Sequence, residues 1–384
     1  MTDQRAADVR RYVQELQSTG HLSDPAWREA FARVPRHFFL PGFFERLPDG
    51  KWQPVGPADA RYWDQVYSDT TLATQLDGHV SPDPDAWPLS GQATSSSTQP
   101  SLMALMLDAL HLQGTERVLE IGTGTGYNAA LLCHRLGDDH VTTVEVDKTV
   151  SDLAARHLVN AGHLPTLIVG DGERGWPGGA PYDRVIATVS VPRIPPAWLA
   201  QVRDGGSIVA SLWRDLGGGP LVRLEVARNT AQGFFLPSYA GFMPVRSAGI
   251  AAQRLGAAVK QTGQSRTATV ASSVLHEPDA GLWIALQVPG VTGLGFTPEG
   301  GVEQLWLFAD DGSWAMVEDA TVRVEQYGPR RLWDDVEAAY DQWAGAGNPT
   351  RDRLGLTVTV AGAHRFWLDV PGNLQWEEQP VSSH

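Results

Sequence analysis

The chain has 384 residues, a formal net charge of −14 and a single cysteine. That length suggests two domains, either able to bury a core, and one cysteine excludes a disulfide framework and a cysteine zinc site. The acidic balance disfavours phosphate backbones and anionic membranes as partners, so neither nucleic acid nor membrane is expected. No apolar run reaches the length of a membrane span, and the first 20 residues carry charges without a long apolar stretch. The expected location is the cytoplasm. Val9, Val13 and Leu16 recur at helical spacing and predict a helix over residues 3–19, ended at Gly20. A second helix is predicted over 25–34. Residues 46–64 hold prolines and spaced aromatics and read as irregular. Residues 77–90, with Pro82, Pro84 and Pro88, read as a surface insertion. A helix over 102–112 follows Pro100.

The most informative stretch comes next. Val118, Leu119, Glu120 and Ile121 form a short strand that runs into Gly122, Gly124 and Gly126, then Tyr127 and Asn128. Glycines at a strand's end allow a sharp turn and bring bare backbone against a ligand. The spacing is neither that of most dinucleotide folds nor that of a phosphate loop, and no Lys follows. Glu120 would repel a pyrophosphate; it could accept from an amino acid's ammonium, directly or through water. A second strand over 141–147 ends at Glu145, where α/β folds place a carboxylate for a ribose diol. A third, over 166–169, runs into Gly170, Asp171 and Gly172, and Asp171 could accept from an adenine amino group. A fourth, 182–188, and a fifth, 206–212, complete the series, with a helical pattern over 149–161 between two of them. This alternation implies an α/β fold with a parallel sheet and a ligand at its carboxyl edge. Cys133 falls on a predicted buried helix face.

After a turn at 217–220, residues 221–227 and 233–242 read as antiparallel strands closing the sheet. The pattern changes around 245–258. Short strands are predicted over 282–288, 304–308, 313–317 and 321–325, then a helix over 331–343 and a hairpin over 354–360 and 364–368. The expected division is therefore 1–247 for the α/β domain and 248–384 for an accessory α+β domain, a possible substrate-recognition unit. Its tryptophans read as core or interface, with a peptide-binding surface as the alternative. The histidines show no metal spacing, and no metal is expected.

The motifs in order resemble the class I S-adenosylmethionine-dependent methyltransferases, and more narrowly the protein-L-isoaspartate O-methyltransferases. The resemblance rests on residues 32–41 (with Pro35, Arg36, His37 and Phe38), 91–100, 118–128, 170–177 and 182–186, and spans roughly residues 30–245. It implies a Rossmann-like sheet and S-adenosyl-L-methionine as cofactor, with S-adenosyl-L-homocysteine as product. The implied cofactor residues are Glu120, Gly122, Thr123, Gly124, Gly126, Tyr127, Asn128, Glu145, Val146, Gly170, Asp171, Gly172 and Thr188. Residues 91–100 resemble the family's substrate loop but hold three extra residues, giving the hydroxyl cluster Thr94, Ser95, Ser96, Ser97 and Thr98. Counting forward puts the family's functional serine at Ser95; counting back puts it at Thr98. Ser95, Ser96, Ser97 and Thr98 are the candidate acceptor-side residues.

A carboxylate needs no strong base to attack a sulfonium methyl, so positioning and water exclusion suffice, and hydroxyls can orient the acceptor. The chain is longer than the usual single-domain repair enzymes. Length and loop together resemble methyltransferases associated with ribosomal-peptide maturation in lanthipeptide and graspetide systems. The leading expectation is methylation of an Asp in a cyclised precursor peptide, leading to succinimide (aspartimide) or isoaspartate. Repair of isoaspartate in damaged proteins is the alternative. A small-molecule methyltransferase and an inactive binding module follow.

Overall fold

A computed structural model describes residues 3–80, 88–216, 218–240, 242, 261–298, 300–374 and 376–378. The apolar spacing near the amino terminus makes helix α1 (Asp3–Ser18), which buries Val9, Tyr12 and Leu16. Helix α2 (Pro25–Arg33) starts where the Asp24 carboxylate accepts from the Ala26 N–H, with Pro25 in its first turn. The stretch expected to be irregular holds two short strands, β1 (Phe43–Arg46) and β2 (Trp52–Val55), and a short helix, α3 (Tyr62–Val66). Strands β3 (Leu72–Leu76) and β4 (Ala93–Ser97) join them in an antiparallel sheet of order β2-β1-β3-β4. The hydroxyl cluster is thus an edge strand rather than a loop. The expected insertion at 77–90 lies partly outside the described residues. Helix α4 (Pro100–Ala109) leaves that strand directly.

The expected parallel strands all form. They are β5 (Val118–Ile121), β6 (Val141–Glu145), β7 (Thr166–Val169), β8 (Tyr182–Val191) and β9 (Val202–Leu212). Helices α5 (Tyr127–Leu136), α6 (Lys148–Ala161) and α7 (Pro196–Gln201) connect them. Parallel pairing runs β5 to β6, β6 to β7, β5 to β8 and β8 to β9. This is the Rossmann-like order with a reversal at β5, and ligands bind where the order reverses. Antiparallel β10 (Pro220–Ala227) and β11 (Thr230–Tyr239) follow.

The second half begins with β12 (Gln264–Thr267) and helix α8 (Pro278–Gln287). Residues 282–288 were expected as a strand; most of them lie in this helix. Every residue from Ala280 to Leu286 is buried, so an apolar run there has no helical stripe to display. Strands β13 (Val291–Phe296), β14 (Gln304–Ala309), β15 (Trp314–Glu318) and β16 (Arg323–Tyr327) complete a five-stranded sheet with β12. Helix α9 (Leu332–Gly345) precedes β17 (Leu354–Thr359), β18 (His364–Leu368) and β19 (Trp376–Glu378). These last three do not stay apart. β17 pairs with β11 from Thr230↔Thr359 to Phe234↔Gly355, and the main sheet reads β19-β18-β17-β11-β10-β9-β8-β5-β6-β7. Strands β10 and β11 therefore do not close it. The division at 247/248 lies outside the described residues. One apolar core joins Leu224 and Phe235 of the first half to Leu356, Val358 and Phe366 of the second. Among the described residues no helix is long and apolar enough to cross a membrane.

Candidate active site

A cavity of about 180 Å³ lies at the carboxyl ends of β5, β6 and β8, closed on one side by β4. Its walls include Gly122, Thr123, Gly124, Tyr127 and Asn128 from the glycine turn, Glu145 at the end of β6 and Val146 beyond it, Asp171 and Gly172 after β7, and Thr188 on β8. Thr94, Ser95, Ser96, Ser97 and Thr98 line the facing wall. Gly122 has φ +92°, and a Cβ there would fall 2.8 Å from Val189 Cγ1 and 3.1 Å from the Thr188 hydroxyl. A Cβ on Gly172 would fall 2.5 Å from Ile121 Cγ2. The turn is thus held to bare backbone by its neighbours.

Glu145 closes the turn. The Gly124 N–H donates to its Oε2 at 3.0 Å, and the Asp147 N–H to its Oε1 at 3.1 Å. A carboxylate accepts about four hydrogen bonds, so capacity remains for a diol. Thr188 donates to the carbonyls of Gly122 at 2.7 Å and Ile121 at 3.2 Å, which makes it a brace for the turn. Asn128 Oδ1 is buried and has no partner among the described residues. Asp171 is exposed and caps the following turn through the Glu173 N–H.

Three expected cofactor residues stand back from this cavity: Glu120, Gly126 and Gly170 are not among its lining residues. Gly126 ends the turn at φ +88°, packed beside Leu158. Glu120 is wholly buried and faces inward. Its Oε1 accepts from Asn128 Nδ2 at 2.7 Å and its Oε2 from the Thr143 hydroxyl at 2.6 Å. Burial pushes its pKa up to about 7, against those two hydrogen bonds and with a smaller push from Glu145. The carboxylate positions Asn128.

The hydroxyl strand divides by role. Ser95 Oγ accepts from the Thr74 hydroxyl at 3.3 Å, and the Thr94 hydroxyl donates to Gln75 Oε1 at 2.8 Å. Ser97 is buried and its Oγ accepts from Arg36 Nε at 3.3 Å. Ser96 and Thr98 make no side-chain hydrogen bond among the described residues, so their hydroxyls are the uncommitted ones. The sequence alternatives Ser95 and Thr98 thus differ in kind, the first already engaged and the second not.

Two further residues organise the site. Arg36 is fully buried with no acid partner in hydrogen-bond range among the described residues. It donates to the carbonyls of Val66, Ser68, Thr70, Ser97 and Thr98 over 2.9–3.2 Å. Gln75, also fully buried, donates to Asp147 Oδ2 at 3.0 Å and ties the hydroxyl sheet to the end of β6. Arg36 stands within the 32–41 motif, which signalled it; nothing in the sequence marked Gln75. Elsewhere Cys133, Asp138 and His163 meet with ligand-type atoms within 4.8 Å, which their sequence spacing had concealed. Burial and the neighbouring Asp138 hold that thiol protonated, as one member of a hydrogen-bonded group.

A glycine turn, an acid after β6 and an acid after β7, all at the carboxyl edge of a sheet reversed at β5, define a class I S-adenosylmethionine-dependent methyltransferase. Residues 60–216 match the family model "Protein-L-isoaspartate(D-aspartate) O-methyltransferase (PCMT)". A protein-L-isoaspartate O-methyltransferase of Rhodopseudomonas palustris is 36% identical over 204 residues, covering 53% of this chain and 77% of that one. One from Hyperthermus butylicus is 32% identical over 210 residues, covering 52% and 73%. The chain belongs to the protein-L-isoaspartate O-methyltransferase family and is an S-adenosylmethionine-dependent carboxyl methyltransferase. A solved structure named protein-L-isoaspartate O-methyltransferase aligns over 97% of this chain and 100% of its own, at 21% identity and a TM-score of 0.52. The fold of the second half therefore recurs in a protein of that name.

Proposed function

We propose that this enzyme methylates the free α-carboxylate of isoaspartyl residues in peptides and damaged proteins. The supporting observation is the pairing of the cofactor cavity with a wall of neutral hydroxyls and, among the described residues, no lysine, arginine or histidine lining it. Gly122, Gly124, Glu145, Asp171 and Gly172 would hold the cofactor, which supplies an electrophilic methyl on a cationic sulfur. Ser96 and Thr98 orient the incoming carboxylate by donating hydrogen bonds to the oxygen that does not attack. Hydroxyls hold a carboxylate less tightly than a guanidinium does, so less binding is lost as its charge is neutralised in the transition state. The attacking oxygen is already deprotonated at neutral pH, so no base is needed. Asp147, Gln75 and Thr94 hold the two walls in register, and the protein's part is orientation and exclusion of water.

A second reading is favoured by the lengthened hydroxyl segment. Three extra residues turn the acceptor wall into a full strand, which suits a rigid, shaped peptide as well as a flexible one. In that reading the acceptor is an ordinary Asp in a macrocyclic peptide. The ester then expels methanol as the backbone nitrogen closes a succinimide. One experiment separates the two. The enzyme is given a linear isoaspartyl peptide and a macrocyclic Asp peptide, and products are followed by mass spectrometry. Methylation adds about 14 Da, and succinimide closure leaves a net loss of about 18 Da from an Asp peptide. Preferential methylation of the isoaspartyl peptide is the expected result. Turnover of the macrocycle alone would transfer the assignment to maturation.

A further inference from the structure

A larger cavity, about 390 Å³, adjoins the first. Ser95, Gly124, Thr125 and Val150 line both, so the two share a wall built from the hydroxyl strand and the glycine turn. The rest of its lining is largely apolar, with Phe39, Phe43, Phe44, Pro54, Val55 and Leu153 prominent. Among the described residues, no acidic side chain, lysine or arginine lines it. Its polar groups are mostly engaged within the protein. The Thr74 hydroxyl donates to Ser95 Oγ, and His157 Nδ1 donates to the Thr125 carbonyl at 3.0 Å. Burial also keeps the His157 imidazole neutral. The volume is that of a small-molecule pocket and exceeds the space that one methyl-accepting carboxylate occupies.

We propose that this chamber is a specificity pocket for an aromatic or branched aliphatic side chain of the substrate, on a residue flanking the one that presents the carboxylate. The inference rests on the reading of residues 95–98 as the acceptor wall. A peptide whose carboxylate lies against that wall has its neighbouring residues within about 3–4 Å per residue of the chamber's shared edge. An apolar side chain entering there loses water from its whole surface at no cost in buried charge. A flanking carboxylate entering there would be desolvated without a partner. The chamber thus selects by sequence around the damage, while the hydroxyl wall selects the damaged residue itself.

The test is a series of isoaspartyl hexapeptides carrying Gly, Leu, Phe or Asp in turn on each side of the acceptor. KM is measured by methyl transfer, and affinity for the enzyme–S-adenosylhomocysteine complex by calorimetry. At one flanking position, Leu or Phe should lower KM and the dissociation constant about tenfold or more relative to Gly, and Asp should raise both. Gly56 lines the chamber, and a Cβ there meets no atom within 4 Å, so Gly56→Leu adds bulk without a backbone clash. In that variant the Phe-to-Gly ratio should fall below about threefold, while S-adenosylhomocysteine affinity reports an intact cofactor site. Equal KM and affinity across the series would overturn the chamber and leave the methyltransferase reading standing. Tight binding of Phe peptides without methylation would remove the acceptor reading and keep the chamber. Loss of S-adenosylhomocysteine affinity in folded Gly56→Leu would assign the cavity to the cofactor and overturn the proposal.

Discussion

Glu120 shows how one carboxylate can brace a site from behind a wall that it does not line. Its two oxygens are taken by Asn128 and Thr143, and Thr143 in turn shares a 2.6 Å hydrogen bond with Thr123 of the turn. From sequence, an acid two residues before a glycine turn looks like a ligand contact. The sequence does not reveal that a strand buried on both faces points this side chain inward. Burial has a consequence for stability. The folded pKa of about 7 lies above the ordinary value of 4.5, so folding favours the protonated acid. The stabilisation is fully present below about pH 4.5 and is lost as pH rises through about 7. Glu120→Gln removes the ionisation. Relative to wild type, the variant should gain roughly 2–3 kcal/mol of unfolding free energy between about pH 5 and pH 8. Urea midpoints at matched pH values measure this. A difference that stays flat across that range would mean that Glu120 ionises freely in the folded protein.

At the scale of elements, β5, β6 and β7 were legible because each is a short apolar run ended by glycine or an acid. Strands β1 and β2 were not, being four residues each with Pro54 in the outer one, where a missing N–H is tolerated. The placement of β4 depends on a contact that sequence cannot pair. Arg36 reaches carbonyls of residues 66–70 and 97–98, between 30 and 62 positions away. It fastens the carboxyl end of the hydroxyl strand to the turn after α3. Arg36→Met would leave five carbonyls short of a donor, those of Val66 and Ser97 in buried surroundings, and should cost several kcal/mol, at about 1–3 for each buried group left unsatisfied. Arg36→Lys keeps the charge but cannot reproduce the planar fork. For that variant, kcat should fall about tenfold or more while S-adenosylhomocysteine affinity stays within about twofold, since Arg36 does not line the cofactor cavity. An equal loss in both quantities would show a general structural role instead of one in placing the acceptor wall.

At the scale of the whole molecule, the change of pattern after residue 245 was visible, but its meaning was not. Alternating strands and a helix read as a separate unit because each element there obeys local rules. Strand pairing between residues 230 and 359 leaves no local mark. Strand β11 has β10 on one side, β17 covers its other side, and β18 and β19 extend the sheet further. His364 reinforces the junction. Its Nε2 accepts from the Ile194 N–H at 2.9 Å, and burial beside Arg193 pushes its pKa down to about 3, so it stays neutral and keeps that lone pair. Arg193 and Arg214 both pair with Glu378, at 3.1 and 3.0 Å, binding the end of β8 and the start of the β9–β10 turn to the last strand. We therefore expect residues 1–242 alone not to fold as a stable unit. Their removal from the rest exposes the β11 edge and the apolar faces of Leu224 and Phe235, which invites strand pairing between copies. Size-exclusion chromatography should find aggregates, and thermal melts should lack a single cooperative transition. A monomeric fragment with unchanged S-adenosylhomocysteine affinity would show that the carboxyl-terminal strands are dispensable and that the methyltransferase half stands by itself.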